Sequence, residues 1–187
     1  AGAHLQGGSF TSKGPDESQS FANDVYGHGT FVTGIIAAQP NNGKGIAGIA
    51  PDAEIYAYRA FTEKEGSVLT MLKALEQAIA DGCQIVNLSM GTTASNPRLL
   101  AGIQKAQEAG ILVVASVGNG NPNLTANYYP AGYEGVIGVG AVDENLERSS
   151  FSQTNETVFV TAPGQDLASL SHTDPNSYVL GSDTSYA

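Results

Sequence analysis

Three short segments carry side chains suited to nucleophilic chemistry. In "GHGTFVTGIIAA" (residues 27–38), His28 stands between two glycines at the mouth of a small-residue helix. In "ASVGNGNP" (residues 115–122), Asn119 follows a buried-looking apolar run and a glycine. In "GSDTSYA" (residues 181–187), Ser185 follows a threonine and precedes an aromatic and a small residue. A histidine can move a proton, a serine can attack, and a side-chain amide can donate to a developing oxyanion. Each segment also has an ordinary reading when taken alone. His28 can cap a helix, Asn119 can sit in a turn, and Ser185 can be a surface serine.

The elements that must position these residues follow from pattern. The run "EIYAYRAF" (54–61) has the β-branched and aromatic content of a strand. Val68, Leu72, Leu75 and Ile79 fall on one face of a helix that stops at Gly82. "QIVNLSM" (84–90) reads as the next strand. Asn96-Pro97 reads as an N-cap followed by proline at the first helical position. Leu99, Leu100 and Ile103 line that helix, and Gly110 ends it. "ILVVASV" (111–117) is continuously apolar, the signature of a strand covered on both faces. "GVIGVGAV" and "TVFVTAPG" add two more strands. Residues 1–27 are rich in Gly, Ser, Asp and Gln and read as loop. Alternating strands and helices predict an α/β domain with a parallel sheet flanked by helices. The whole chain, 1–187, reads as a single domain. In such sheets chemistry lies beyond the carboxyl ends of the strands, where Ser89, Met90 and Gly91 and the pair Gly118-Asn119 fall.

Composition narrows the function classes. With 8 basic against 18 acidic residues the chain has a net charge of −10. That gives no basic footprint for nucleic acid and no attraction to an anionic membrane surface. No apolar run is long enough to cross a bilayer. The N-terminus lacks the basic, apolar and small-residue order of a secretion signal. Cys83 is the sole cysteine, so no internal disulfide forms.

Taken together, the segments resemble the subtilisin-like serine proteases, the subtilases. "GHGTFVTGIIAA" is similar to that family's histidine motif, and Asp24 fits its local Asp-x-x-Gly-His-Gly-Thr form. "GIAGIAPDAEIYAYRAF", "IVNLSMG", "VVASVGNGN", "VIGVGAVDENLERSSFSQ" and "VTAPG" resemble further family stretches in family order. "DTSYA" resembles the nucleophile motif Gly-Thr-Ser-x-Ala. The resemblance implies a subtilisin-like sheet and serine endopeptidase activity through an acyl-enzyme. Ser185 would attack, His28 would act as base and acid, and Asn119 would join the Ser185 N–H in holding the oxyanion. The substrate would be a polypeptide bound as an extended strand along Ser89, Met90 and Gly91 and along Lys64, Glu65 and Gly66. Ala115, Ser116 and Val117 would wall the pocket for the residue before the cut. The resemblance also implies an extracellular location and a calcium loop in "PNNGKGIAG". There Asn42 would be the side-chain ligand, with carbonyls from Pro40, Lys44 and Ile46. The same loop also reads as an Asn-Asn-Gly turn.

Two departures from the family pattern stand out. No strand-borne aspartate precedes the histidine segment and no helix follows the serine segment, so the domain reads as incomplete at both ends, the remainder being outside this sequence, supplied by another chain or never present. Asp183 stands where the family has glycine before Thr-Ser. The chain alone is therefore expected to be a poor protease. A rival reading keeps the fold as a non-catalytic binding module. A nucleotide-binding α/β protein is a second rival, but the sequence has no Gly-x-Gly-x-x-Gly turn between a strand and a helix.

Overall fold

The computed structural model describes residues 5–11, 14–15, 20, 22–61, 66–120 and 125–187. The chain divides into two compact units. The first comprises Ala1–Ala74 with Ala168–Leu180, the second Leu75–Leu167 with Gly181–Ala187.

The first unit holds β1 (Leu5–Thr11), β2 (Gly14–Pro15), α1 (His28–Ala37) and β3 (Ile55–Arg59), and the opening turns of α2 (Val68–Ala80). The sheet order is β2-β1-β3, with β1 parallel to β3 and antiparallel to β2. The expectation that residues 1–27 are all loop is corrected here. "LQGGSFT" has little strand propensity of its own. It becomes a strand because Leu5 to Ser9 pair in register with Ile55 to Arg59. Gly7 is required in that pairing, because a side chain there would run into the Ala57 backbone. Phe10, Ala60 and Ala74 form a small core, with Tyr58 and Phe61 packed against it.

Ser67 starts α2 through reciprocal bonds with Thr70. The Thr70 N–H donates to Ser67 Oγ and the Ser67 N–H to Thr70 Oγ1, each at 3.1 Å. Helix α1 buries Phe31, Gly34 and Ala37. A side chain on Gly34 would strike Ser169 and Leu170, and Ser169 Oγ donates to the Phe31 carbonyl at 2.6 Å. Glycine at 34 thus lets the helix lie directly on the segment that contains them.

The second unit is the site's scaffold. It contains β4 (Ile85–Leu88), α3 (Pro97–Glu108), β5 (Leu112–Ser116), β6 (Ile137–Val142) and β7 (Val160–Pro163). These strands form a parallel sheet in the order β4-β5-β6-β7. Asn96 caps α3 as its type demands: Oδ1 accepts from the N–H groups of Arg98 (2.9 Å) and Leu99 (3.3 Å). Gly110 closes the helix at φ 82°. Leu99, Ile103 and Ala106 of α3 and Val113, Ala115 and Val117 of the β5 strand and its extension are all completely buried. Each large aliphatic among them contributes about 1.5–3 kcal/mol by leaving water. Leu112, at the start of β5, is 46% exposed, so the strand is sealed most tightly toward its carboxyl end. A hairpin, β8 (Leu167–Leu170) with β9 (Tyr178–Gly181), precedes the C-terminal segment. Sequence pattern did not predict it.

Candidate active site

The histidine segment is built on the first unit. Gly27 takes a left-handed conformation, φ 84°, and turns the chain into α1 with His28 as its first residue. His28 is exposed. Asp24 fixes this turn. Its Oδ1 accepts from the N–H groups of Tyr26 (3.0 Å) and Gly27 (2.8 Å). Its Oδ2 accepts from the Thr30 N–H and the Thr30 hydroxyl, both at 2.8 Å. Burial pushes the Asp24 carboxyl upward. The bonds from the Thr30 N–H, the Gly27 N–H, the Thr30 hydroxyl and the Tyr26 N–H outweigh it and hold the group below its usual range. Asp24 therefore satisfies donors at the helix start that would otherwise be orphaned.

The serine segment is built on the second unit, where β4 and β5 end side by side, Leu88 paired with Ala115. Ser89 follows β4 and meets Ser185 twice. Ser89 Oγ donates to the Ser185 carbonyl at 3.0 Å, and Ser185 Oγ donates to the Ser89 carbonyl at 3.3 Å. Asn87 Nδ2 donates to Ser89 Oγ at 2.8 Å and so orients it.

Beyond β5, Gly118 adopts φ 100° and delivers Asn119. Asn119 Oδ1 accepts from the Thr184 N–H at 2.9 Å. A backbone N–H can only donate, so the atom facing it is the carbonyl oxygen, and the Nδ2 donors point elsewhere. Asn119, Ser89 and Ser185 thus meet at the carboxyl edge of one sheet. Met90 and Gly91 continue the same edge and are half-buried. His28, Gly66 and Asn42 belong to the first unit.

Ala115 and Val117 are fully buried and Ser116 is 5% exposed. Side chains alternate along a strand, so Ala115 and Val117 face one side of the sheet and Ser116 the other. Gly66 bridges to Phe61, whose ring covers the space a Gly66 side chain would need. Lys64 and Glu65 lie outside the described residues.

Two features of the site were not legible beforehand. The Asp183 carboxylate accepts from the Ser185 N–H at 2.7 Å, the very donor expected to hold an oxyanion. Tyr128 lies against both strand extensions. A Cβ on Gly91 would stand 2.5 Å from the Tyr128 ring, and one on Gly118 would stand 2.9 Å from it. The Tyr128 hydroxyl donates to the Gly91 carbonyl at 2.8 Å. Burial, and then the charge of Asp183, push the Tyr128 phenol upward; the same two causes, in the same order, raise Tyr186. Both phenols therefore keep their protons at neutral pH.

The side-chain oxygen of Asn42, the expected ligand of this loop, already accepts from the Lys44 N–H at 2.9 Å. Lys44 also brings a cation to the loop, its Nζ donating to Asn176 Oδ1 at 3.1 Å. Calcium favours six to eight oxygens, so this loop alone does not fit the ion.

Comparison with known proteins decides the family. The subtilase family pattern matches residues 7–187. The chain belongs to the subtilase family. Among curated subtilases, it is 42% identical over 166 residues to the minor extracellular protease Epr of Bacillus subtilis, covering 88% of this chain and 25% of that protein. It is 39% identical over 183 residues to a thermostable alkaline protease of Halalkalibacterium halodurans, covering 97% of this chain and 48% of that protein. The chain thus spans half or less of the length of these two relatives. Among solved structures, the prenylagaramide maturation protease PagA superposes with a TM-score of 0.79 at 27% identity, over 99% of this chain and 63% of that one. The protease domain of PatA shares the fold at a TM-score of 0.83 and 24% identity, over 100% of this chain and 68% of that one. A subtilisin-like α/β fold with parallel strands is therefore the frame in which the Ser89, Asn119 and Ser185 cluster sits.

Proposed function

We propose that the protein is a serine endopeptidase that cleaves polypeptides through an acyl-enzyme on Ser185. Ser185 Oγ attacks the scissile carbonyl carbon and passes its proton to His28. The carbonyl oxygen becomes an oxyanion held by Asn119 Nδ2 and the Ser185 N–H. The intermediate collapses, the C–N bond breaks, and His28 returns the proton to the leaving amine. Water then attacks the acyl-enzyme by the same route in reverse.

The observation that carries this reading is the bond from the Thr184 N–H to Asn119 Oδ1 at 2.9 Å. It pins the amide beside the serine segment and leaves its donors for another acceptor. The substrate binds extended along Ser89 to Gly91 by strand addition, and the protein acts outside the cell, as the extracellular protease of Bacillus subtilis does by its name. Single-domain organisation over 1–187 and a structural calcium belong to the same reading. The ion would need oxygens beyond the Asn42 loop. If such a site exists, calcium raises the Tm of the full-length protein and Asn42→Ala lessens the rise; a Tm indifferent to calcium removes the ion from the account.

A second reading, a binding module without turnover, is favoured by one observation: the Ser185 N–H is already held by Asp183 at 2.7 Å. Hydrolysis of a peptide substrate by full-length protein separates the two. The endopeptidase reading expects turnover that Ser185→Ala abolishes. No turnover supports the binding module, and turnover untouched by that change refutes Ser185 as the nucleophile.

A further inference from the structure

Past the paired Leu88 and Ala115, the ring of Tyr128 reaches both strand extensions, Ser89 to Gly91 and Ser116 to Asn119. It lies within contact of the Cβ positions of Gly91 and Gly118 and so fills the crevice the extensions would otherwise leave. Glycine at both places is what lets the ring in. At 91 a side chain would meet the Tyr128 ring and the Tyr129 carbonyl, each at 2.5 Å. At 118 it would meet the ring and Gln153 Nε2, each at 2.9 Å, and the φ of 100° already disfavours any side chain. The ring is held at its far end too, by the hydroxyl bond to the Gly91 carbonyl at 2.8 Å. A half-buried ring fixed by packing along its body and by a hydrogen bond at its tip is a filled space, not a swinging gate.

The position of this ring has a consequence for recognition that rests on the endopeptidase reading. A peptide laid along Ser89 to Gly91, with its scissile carbonyl between Ser185 and Asn119, sends the side chain before the cut into this crevice. We propose that Tyr128 closes the crevice and restricts the residue before the cut to small side chains: glycine, alanine or serine. An aromatic or long aliphatic side chain would need the volume that the ring occupies. The hydroxyl bond also takes up the Gly91 carbonyl, so a substrate strand gains less main-chain bonding there. Asp183, close enough to raise Tyr128, disfavours an acidic side chain at the same place.

The test needs no turnover. N-acetyl tetrapeptides with a free carboxylate, alike except for a terminal alanine or phenylalanine, are titrated calorimetrically into full-length protein. The expected result is at least about tenfold tighter binding of the alanine peptide, the scale at which a pocket rejects a misfitting apolar group. Tyr128→Gly should narrow or invert the ratio. Tyr128→Phe, which keeps the ring and loses the hydroxyl bond, should preserve it. Wild-type protein that binds both peptides equally, prefers phenylalanine, or binds neither overturns the proposal. If Tyr128→Gly does not fold, the wild-type and Tyr128→Phe ratios decide. Matched p-nitroanilides report separately on catalysis: an alanine preference in binding without Ser185-dependent hydrolysis would refute the endopeptidase reading and leave the size restriction standing.

Discussion

Replacing Asp183 with glycine should raise activity. The Asp183 carboxylate accepts from the Ser185 N–H at 2.7 Å. An oxyanion sharing the same N–H would stand about 4 Å from that carboxylate oxygen, since two acceptors about 3 Å from one nitrogen must both lie near the direction of its single hydrogen. Two negative charges at that separation repel by about 4 kcal/mol at an effective dielectric of ~20. Asp183 is only partly buried, and solvent at such a place takes roughly half of this. What remains, about 1.5–2 kcal/mol, corresponds to roughly 10- to 30-fold in rate. The carboxylate also competes for a donor of the kind whose loss costs about 10²–10³ in kcat. We therefore expect Asp183→Gly to raise kcat/KM of the full-length protein by about 10- to 100-fold on a peptide p-nitroanilide, mostly through kcat. Asp183→Asn should fall between, because it removes the charge and keeps an acceptor. Active-site titration must show equal fractions of competent enzyme in all three proteins. Equal kcat/KM in all three, or a fall in Asp183→Gly, refutes the electrostatic argument and makes Asp183 a structural part of the turn.

Three further outcomes follow from the same contacts. Asn119→Ala should lower kcat by about 10²–10³ with little change in KM, read from initial rates; a pure KM effect would assign Asn119 to ground-state binding. Asp24→Asn should destabilise the protein by about 1 kcal/mol at neutral pH, as helix-cap losses do, seen as a Tm drop of about 2–4 °C. Because the folded Asp24 carboxyl is held low, its stabilisation is complete above the unfolded carboxylate range, about pH 4, and disappears as pH falls through the folded value. The Tm difference should therefore shrink in acid; a difference that grows there contradicts the capping account.

How much of this could be read from the residues alone depends on whether the cause was local. Helix α3 was legible because its start and stop are local chemistry: the Asn96 side chain, Pro97, and a glycine able to take φ 82°. The apolar run of β5 and the turn at Gly27 were legible for the same reason. Strand β1 was not, because "LQGGSFT" becomes a strand only by pairing with β3, whose matching residues lie about fifty positions on, Leu5 with Ile55 and Ser9 with Arg59. The candidate roles of Asn119 and Ser185 came from the family resemblance, but their bonds to Thr184 and Ser89 and the place of the Tyr128 ring did not. Nothing in "ANYYPAG" says that the first of two tyrosines will lie across Gly91 and Gly118. Two glycines that each follow a strand and admit no side chain were the available signal, and it read equally well as turn chemistry. Asp183 was visible as an oddity of type, but its bond to the Ser185 N–H required the backbone turn of residues 183–186.

The central claim is that Ser185 is an activated nucleophile facing the Asn119 amide. Full-length protein treated with a fluorophosphonate probe and mapped by peptide mass spectrometry tests it most directly, because only an activated serine reacts. The account predicts one modified peptide, carrying the label on Ser185, with labelling slowed in Asn119→Ala and lost in Ser185→Ala. No label on Ser185 in folded wild-type protein, or a label on another serine, would contradict it.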